Sequence, residues 1–402
     1  MRRCVSVEVC ALFAVACLVG EKAAAATIYV GASDGHRTTQ AYGSIQSGID
    51  AAYDHELIIV RDGTYAGDID LKGKAVHVKS ENGPGACIIS ATEISAFSFS
   101  SGEGRDTVVE GFTIQGRRRS SGMYCTNSSP TILNNRLIDN STSFADGGGI
   151  YCYMSSPLIV GNIIAQNWAS SGVGGGICIH GGSPDLVNNT IVSNRSAGYN
   201  YTGYGGGVYC GYGAVVSMKG CIVWGSSATC GPQIAVMGLA RLSIDYSDIQ
   251  GGKEGVYVPL GGMLTWGRGN LNSDPLLHAD WHLLSRYGRR ASPDTWVLDG
   301  STSPCINAGD PASDFSKQPQ PSRRIEIGAY GNTAEASKGK WILPGDTNGD
   351  STVNILDLII VRNLLSNDPL IGDNWQADVN EDGKINILDL LLVRNRLGTK
   401  RE

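Results

Sequence analysis

The sequence predicts an all-β right-handed parallel β-helix, a solenoid of stacked coils, followed by a small α-helical C-terminal module. Three observations predict it. Between Gly122 and Gly206 one unit is copied at a constant offset of 27 residues. Between Asp346 and Asn395 a different unit is copied at an offset of 32 residues. The 402-residue chain also holds 54 glycines but only 17% charged residues, which suits tight turns repeated many times.

In the first repeat Ser129-Pro130, Ser156-Pro157 and Ser183-Pro184 fall in register. So do Asn135, Asn162 and Asn189, and again Asn140, Asn167 and Asn194. Apolar Ile132, Ile159 and Leu186 match, as do Leu137, Ile164 and Ile191. A fixed period of this length means one supersecondary unit stacked on itself. The units lack helix formers and are rich in Gly, Asn, Ser and β-branched residues, so each is a coil of short strands. Each opens on Gly122, Gly149, Gly176 or Gly207 and then alternates. Met123, Ile150, Ile177 and Val208 point inward, Tyr124, Tyr151, Cys178 and Tyr209 outward, and Cys125, Cys152, Ile179 and Cys210 inward again. Stacking sets like over like at about 4.8 Å, so apolar columns fill the core and Asn columns bond along the turns.

The units G-x-Y-C-x-x-S-S-P and N-x-x-x-x-N resemble secreted bacterial right-handed β-helix (pectate-lyase-like) proteins. The segments VRDGTY, SENGP and GFTIQG resemble the first coils of that family.

Residues 1–26 read as a signal peptide, with basic Arg2-Arg3, an apolar stretch from Val9 to Gly20 and small residues from Ala23 to Ala26. That stretch is short for a membrane span, so the expected location is secreted, extracellular or at the cell surface. A net charge of -6 argues against a nucleic-acid partner. Of 11 cysteines, three lie in this leader. Cys125, Cys152 and Cys210 read as small core residues, and Cys221 and Cys230 read either as a local disulfide or as free thiols. No cysteine pair or histidine cluster has zinc-ligand spacing in sequence.

In chain order, Thr27 to Val30 reads as a first strand. Tyr42 to Asp54 reads as a helix with Ile45, Ile49 and Ala52 on one face, closing the open first coil. Early coils follow at Leu57–Arg61, Val76–Ser80, Cys87–Ser90 and Val108–Ile114. The solenoid with its N-terminal cap is expected over 27–271. Residues 272–336 lose the period and gain Pro, Asp and Gly turns, which reads as a C-terminal cap. There Asp310 and Asp314 read as turn formers rather than metal ligands. A linker over 337–344 leads to the calcium module at 345–397.

The module carries DTNGDSTVNILD at 346–357 and DVNEDGKINILD at 378–389. Both fit a D-x-N-x-D calcium loop, whose roughly twelve residues offer oxygens from positions 1, 3, 5, 7, 9 and 12. The first set is Asp346, Asn348, Asp350, the Thr352 carbonyl, Asn354 and Asp357. The second is Asp378, Asn380, Asp382, the Lys384 carbonyl, Asn386 and Asp389. Two Ca2+ ions are expected, with folding of the module coupled to them. Position 6 is Gly383 in one loop but Ser351 in the other, which weakens the first site where φ > 0 is needed. Each loop leads into a single helix and position 12 is Asp. The pair resembles a type I dockerin, and the resemblance implies a cohesin-type protein module as partner. In that family positions 10 and 11 help choose the partner. Here they are Ile355, Leu356, Ile387 and Leu388. They either pack into the module's own core or present two equivalent partner faces, and their apolar character favours the core.

For the solenoid, the resemblance implies outward residues on one sheet as the seat of any catalysis. Lyases of this kind pair carboxylates with an Arg or Lys base, and hydrolases use paired carboxylates. Residues 117–230 hold only Asp139, Asp146 and Asp185 as acids, with Arg136 near Asp139. No catalytic residue is singled out. Polysaccharide binding is easier to support: Tyr124, Tyr151 and Tyr209 in one outward column, Tyr153 and His180 in the next, and Trp168 in a loop offer faces for sugar rings. The alternative is that outward Tyr only stiffens a sheet. Two functions remain open: a secreted, dockerin-borne polysaccharide lyase or glycoside hydrolase, or a non-catalytic carbohydrate-binding or surface scaffold protein.

Overall fold

The computed structural model describes residues 27–31, 41–91, 95–116, 121–319, 322, 324–340, 345–348, 352–365, 377, 379–380 and 385–399. The leader at 1–26 and the ligands Asp350, Asp378, Asp382 and Lys384 lie outside them.

Each copied unit contributes one strand to each of three parallel sheets, so the chain winds as a right-handed solenoid. One full coil runs Thr131–Leu133 in sheet one, Arg136–Ile138 in sheet two and Ile150–Tyr153 in sheet three. Among the described residues these sheets hold 11, 8 and 8 strands. The register is the one the offset of 27 demands: Ile132 pairs with Ile159, Leu137 with Ile164, and Met123 with Ile150. All six side chains are fully buried. A buried Ile or Leu contributes about 1.5–3 kcal/mol, so every added coil lengthens one continuous core.

The turns carry the polar half of the design. Asn162 Oδ1 accepts from the Asn135 backbone N–H at 2.9 Å, and Asn189 Oδ1 accepts from that of Asn162 at 2.9 Å. The Asn162 amide donates to the carbonyls of Ile132 and Val160, closing the turn. Asn140, Asn167 and Asn194 repeat the arrangement at the next corner at 3.0 Å per step. Further along, Cys221 takes the place of an asparagine, its Sγ facing the Asn189 N–H at 3.4 Å, and Ser247 follows it. Cys221 is therefore a buried ladder residue and both it and Cys230 are free thiols, which settles against a disulfide between them. The opening glycines are held by close approach: a Cβ on Gly149 would stand 2.6 Å from the Gly176 carbonyl oxygen.

Helix α1 (Ile45–Ala51) is shorter than the sequence suggests, starting at a Ser44 capping box. It buries Ile45, Ile49 and Ala52 as expected. Val108–Ile114, read as part of an early coil, holds the start of two strands, Val108–Glu110 and Thr113–Gln115, because Gly111 turns the chain at φ +80. The early coils also have strands that were not foreseen at Gly63–Ala66, Ile69–Asp70 and Ser95–Phe99.

The segment read as a C-terminal cap packs along the flank of the solenoid. Sheet two is apolar on its outer face as well, at Ile163, Ala165, Val192 and Ile222. Leu283, Cys305, Ile306, Ile327 and Ala329 cover that face. The Gly328 N–H donates to the Gly220 carbonyl at 2.8 Å and that of Ala329 to Thr190 Oγ1 at 3.0 Å. Asp310 pairs with Lys219, and Asp310 and Asp314 accept from the N–H groups of Ala312 and Ser316, as turn formers do.

In the C-terminal module α2 (Ile355–Leu364) and α3 (Ile387–Asn395) pack through fully buried Val361 and Val393. The two ends of the module are clasped: the Val353 N–H donates to the Thr399 carbonyl, and the Gly398 N–H to the Val353 carbonyl.

Candidate functional site

The calcium loops show the same local build twice. Asn354 caps α2 and Asn386 caps α3, each in a box with the Asp three residues on. Asp357 Oδ1 accepts from the N–H groups of Thr347 at 2.7 Å and Asn348 at 3.0 Å, and its Oδ2 from Asn354 at 2.8 Å. Asp389 takes the same three bonds from Val379, Asn380 and Asn386 at 2.7, 3.0 and 2.8 Å. Both carboxylates are fully buried, and Asp346 is 2% exposed. The donors on Asp357 and Asp389 are neutral, so the negative charge of each loop still calls for a cation. An all-oxygen set of Asp, Asn and backbone carbonyl fits calcium.

Positions 10 and 11 do not pack into the core. Ile355 and Leu356 are 58% and 54% exposed, and Ile387 and Leu388 are 56% and 53%. Helical phase is the reason. Asp357 and Val361 face inward, which turns Ile355 and Ile359 outward one turn apart. Leu391 repeats Ile359 in the second copy. The core reading is corrected: the module carries two equivalent exposed apolar faces.

On the solenoid, Tyr124, Tyr151, Cys178 and Tyr209 stand in one column and Tyr153 and His180 in the next, as expected. The rings of Tyr124 and Tyr151 stack at 5.3 Å, and His180 meets Tyr151 and Tyr209 edge-on at 5.8 and 5.4 Å. This column is not the open platform the sequence suggests. Val173, Tyr204 and Met237 pack over Cys178, Tyr209 and Ala235, leaving Tyr209 9% and His180 8% exposed. Burial pushes the Tyr151 and Tyr209 hydroxyls well up and moves His180 down against the opposing pull of Asp146. Tyr153 and Trp168 remain open at 42% and 40%.

Trp168 stands on a corner where short strands Ser141–Thr142, Trp168–Ala169 and Arg195–Ser196 stack. Arg195 lies over the Trp168 ring at 5.3 Å. Beside it an open groove of about 420 Å³ is lined by Arg195, Ser196, Ala197, Ser227, Ala228 and Thr229. The sequence reading missed Arg195. Its signal was the 27-residue offset from Trp168.

Arg136 is tied to the flank instead, donating to the Tyr330 hydroxyl at 3.2 Å. The Tyr330 ring stacks on His282 at 3.9 Å, and His282 sits between Asp280 at 3.2 Å and Glu335 at 3.6 Å. Burial pushes Asp280 up, but His278 and His282 outweigh it and hold the carboxyl low. His282 holds Glu335 low, with Arg290 helping. These charged pairs join the flank segment to itself, and the Arg136 hydrogen bond to Tyr330 joins it to sheet two.

Two family models match the chain. Residues 42–210 match the right handed beta helix region, and residues 344–398 match the dockerin type I domain. No curated protein matches. Among solved structures, a pectin methylesterase from Aspergillus niger is 12% identical over 62% of this chain and 87% of its own, with a TM-score of 0.40. One from carrot is 12% identical over 63% and 85%, with a TM-score of 0.38. A pectate lyase is 15% identical over 76% and 96%, with a TM-score of 0.39. Among the described residues no helix is long and apolar enough to cross a membrane.

Proposed function

Because the chain is a right-handed β-helix repeat protein that ends in a type I dockerin domain, we propose that it is a secreted component of polysaccharide breakdown, held to a cohesin-type module by its tail. Type I dockerin domains bind calcium, and each of the two loops here takes one ion. The observation that carries the reading is the duplicated loop and helix, with Asp357 and Asp389 in matching cradles and matched apolar faces beside them. The solenoid supplies the sugar-facing part. Trp168 offers an aromatic face and Arg195 a cation that suits an acidic sugar, while Tyr153 stands open on sheet three.

The full chain, assayed with calcium on pectin, alginate and xylan, tests this. Unsaturated product marks a lyase and new reducing ends a hydrolase. Retention on one of these polymers without product marks the non-catalytic carbohydrate-binding alternative. Neither product nor retention on any of them, with cohesin modules also ignored in calcium, overturns the proposal.

A further inference from the structure

Three departures from the 27-residue repeat meet at one point of the solenoid. Position 178 is Cys where the coils on either side place Tyr151 and Tyr209. Position 180 is His where they place Tyr153 and Gly211. Position 146 is Asp where the next coils bring Val173 and Tyr204 before the same glycine turn. Cys178 and His180 are two apart on one strand, so both side chains leave the same outer face of sheet three. The turn at Gly147 carries Asp146 to them from the preceding coil. Ligand atoms of the three side chains lie within 4.8 Å of one another.

The spacing suits a shared ion better than a direct contact. His180 Nε2 and Asp146 Oδ2 are 3.8 Å apart, beyond hydrogen-bond reach. A histidine nitrogen and a carboxylate oxygen on one tetrahedral zinc, with bonds of about 2.0–2.2 Å, stand roughly 3.3–3.5 Å apart, so binding draws this pair together by about 0.3–0.5 Å. The other Asp146 oxygen accepts from the Val173 N–H at 2.8 Å, the outer contact that fixes a ligating carboxylate. His180 is held in place by the Tyr209 ring at 5.4 Å and the Tyr212 ring at 4.6 Å.

We propose that Asp146, Cys178 and His180 bind one zinc or similar transition-metal ion on the outer face of the solenoid, with a fourth position open to water on the Asp146 side. Thiolate, imidazole and carboxylate form a softer set than the all-oxygen loops of the C-terminal module, so the two kinds of site sort their metals. Without a metal, burial keeps Cys178 a thiol and makes it a poor nucleophile. This site is independent of any reading of the dockerin or of the sugar.

Cobalt(II), added to the full chain in excess calcium, tests it. The expected result is a thiolate-to-cobalt charge-transfer band at one cobalt per chain, displaced by zinc. Cys178→Ser removes the band. His180→Gln and Asp146→Asn weaken binding at least about tenfold with unchanged far-ultraviolet circular dichroism. Asp146 is on a partly exposed turn, so its variant keeps the test open if Cys178→Ser fails to fold. No band in the unaltered protein, or the same band in Cys178→Ser, overturns the proposal.

Discussion

In the solenoid, Asn162 is fully buried and bonds to the coils before and after it with neutral partners alone. In the C-terminal module, Asp357 and Asp389 are equally buried, but each is a carboxylate at the heart of an acidic loop. Both regions are copies of one unit, and both put a polar group inside. Asn162 closes its hydrogen bonds within the chain. The second is an acidic loop of the kind whose folding is coupled to a bound cation. The largest effect should therefore separate them. A calcium chelator is expected to abolish the circular-dichroism signal of α2 and α3 while the β signal of the solenoid stays. In calcium at about 1,000 times its dissociation constant, the module gains about 4 kcal/mol for each ion bound, read as a rise in its melting temperature. A module that melts alike in chelator and in calcium breaks the comparison.

The complementary perturbation acts on the solenoid alone. Asn162→Ala leaves the buried Asn135 backbone N–H and amide without the Asn162 oxygen, and frees the carbonyls that its own amide held. The Asn135 amide keeps the Val109 carbonyl and the Val160 carbonyl keeps the Asn134 N–H, so two groups lose the partner named, and at about 1–3 kcal/mol each the loss is about 4 kcal/mol. Denaturant unfolding of the solenoid should shift accordingly, with the calcium midpoint of the module unchanged.

How much of this was legible follows from the same contrast. The inward columns and Asn ladders could be read because equal coils force equal register, so Asn135, Asn162 and Asn189 had to superpose. The calcium ligands could be read because the loop fixes their spacing. The flank could not, since 272–336 has no period. A signal stood on its partner: Ile163–Ala165 and Ile222–Trp224 are apolar at successive positions, the mark of strands buried on both faces. Exposure at Ile355 and Leu356 was misjudged from hydropathy, where helical phase from Val361 would have placed them. The meeting of Asp146, Cys178 and His180 depends on how a turn folds over a sheet, which a column alignment does not contain.

The flank introduces a third way to bury a polar group. Glu326 is 1% exposed, accepts from the Ser337 N–H at 3.1 Å, and burial pushes its carboxyl up to about 8. Between the ordinary value of 4.5 and about 8 the folded chain holds a proton that the unfolded chain releases. Stability from this group is thus complete below about 4.5 and is lost as pH rises to about 8. Glu326→Gln, neutral throughout, should flatten that slope and gain on the order of 4 kcal/mol at pH 8 relative to the unaltered chain. An unchanged pH dependence of melting would show that Glu326 ionises freely where it sits.

The smallest effect on stability should come with the largest on recognition. Ile355 and Ile387 are more than half exposed and occupy equivalent places at the starts of α2 and α3. Replacing either by Asp, at the first turn of a helix where a carboxylate suits the dipole, should change stability by no more than about 0.5 kcal/mol. If each face is a docking surface, either copy alone suffices. Ile355→Asp and Ile387→Asp singly should then weaken cohesin binding only about twofold, the loss of one of two equivalent modes. The double variant should lose binding by at least about a hundredfold, as when an apolar anchor is removed from an interface. Isothermal titration in calcium reads all three. A single variant as impaired as the double would show that one face alone meets the partner, and that the duplication serves calcium rather than recognition.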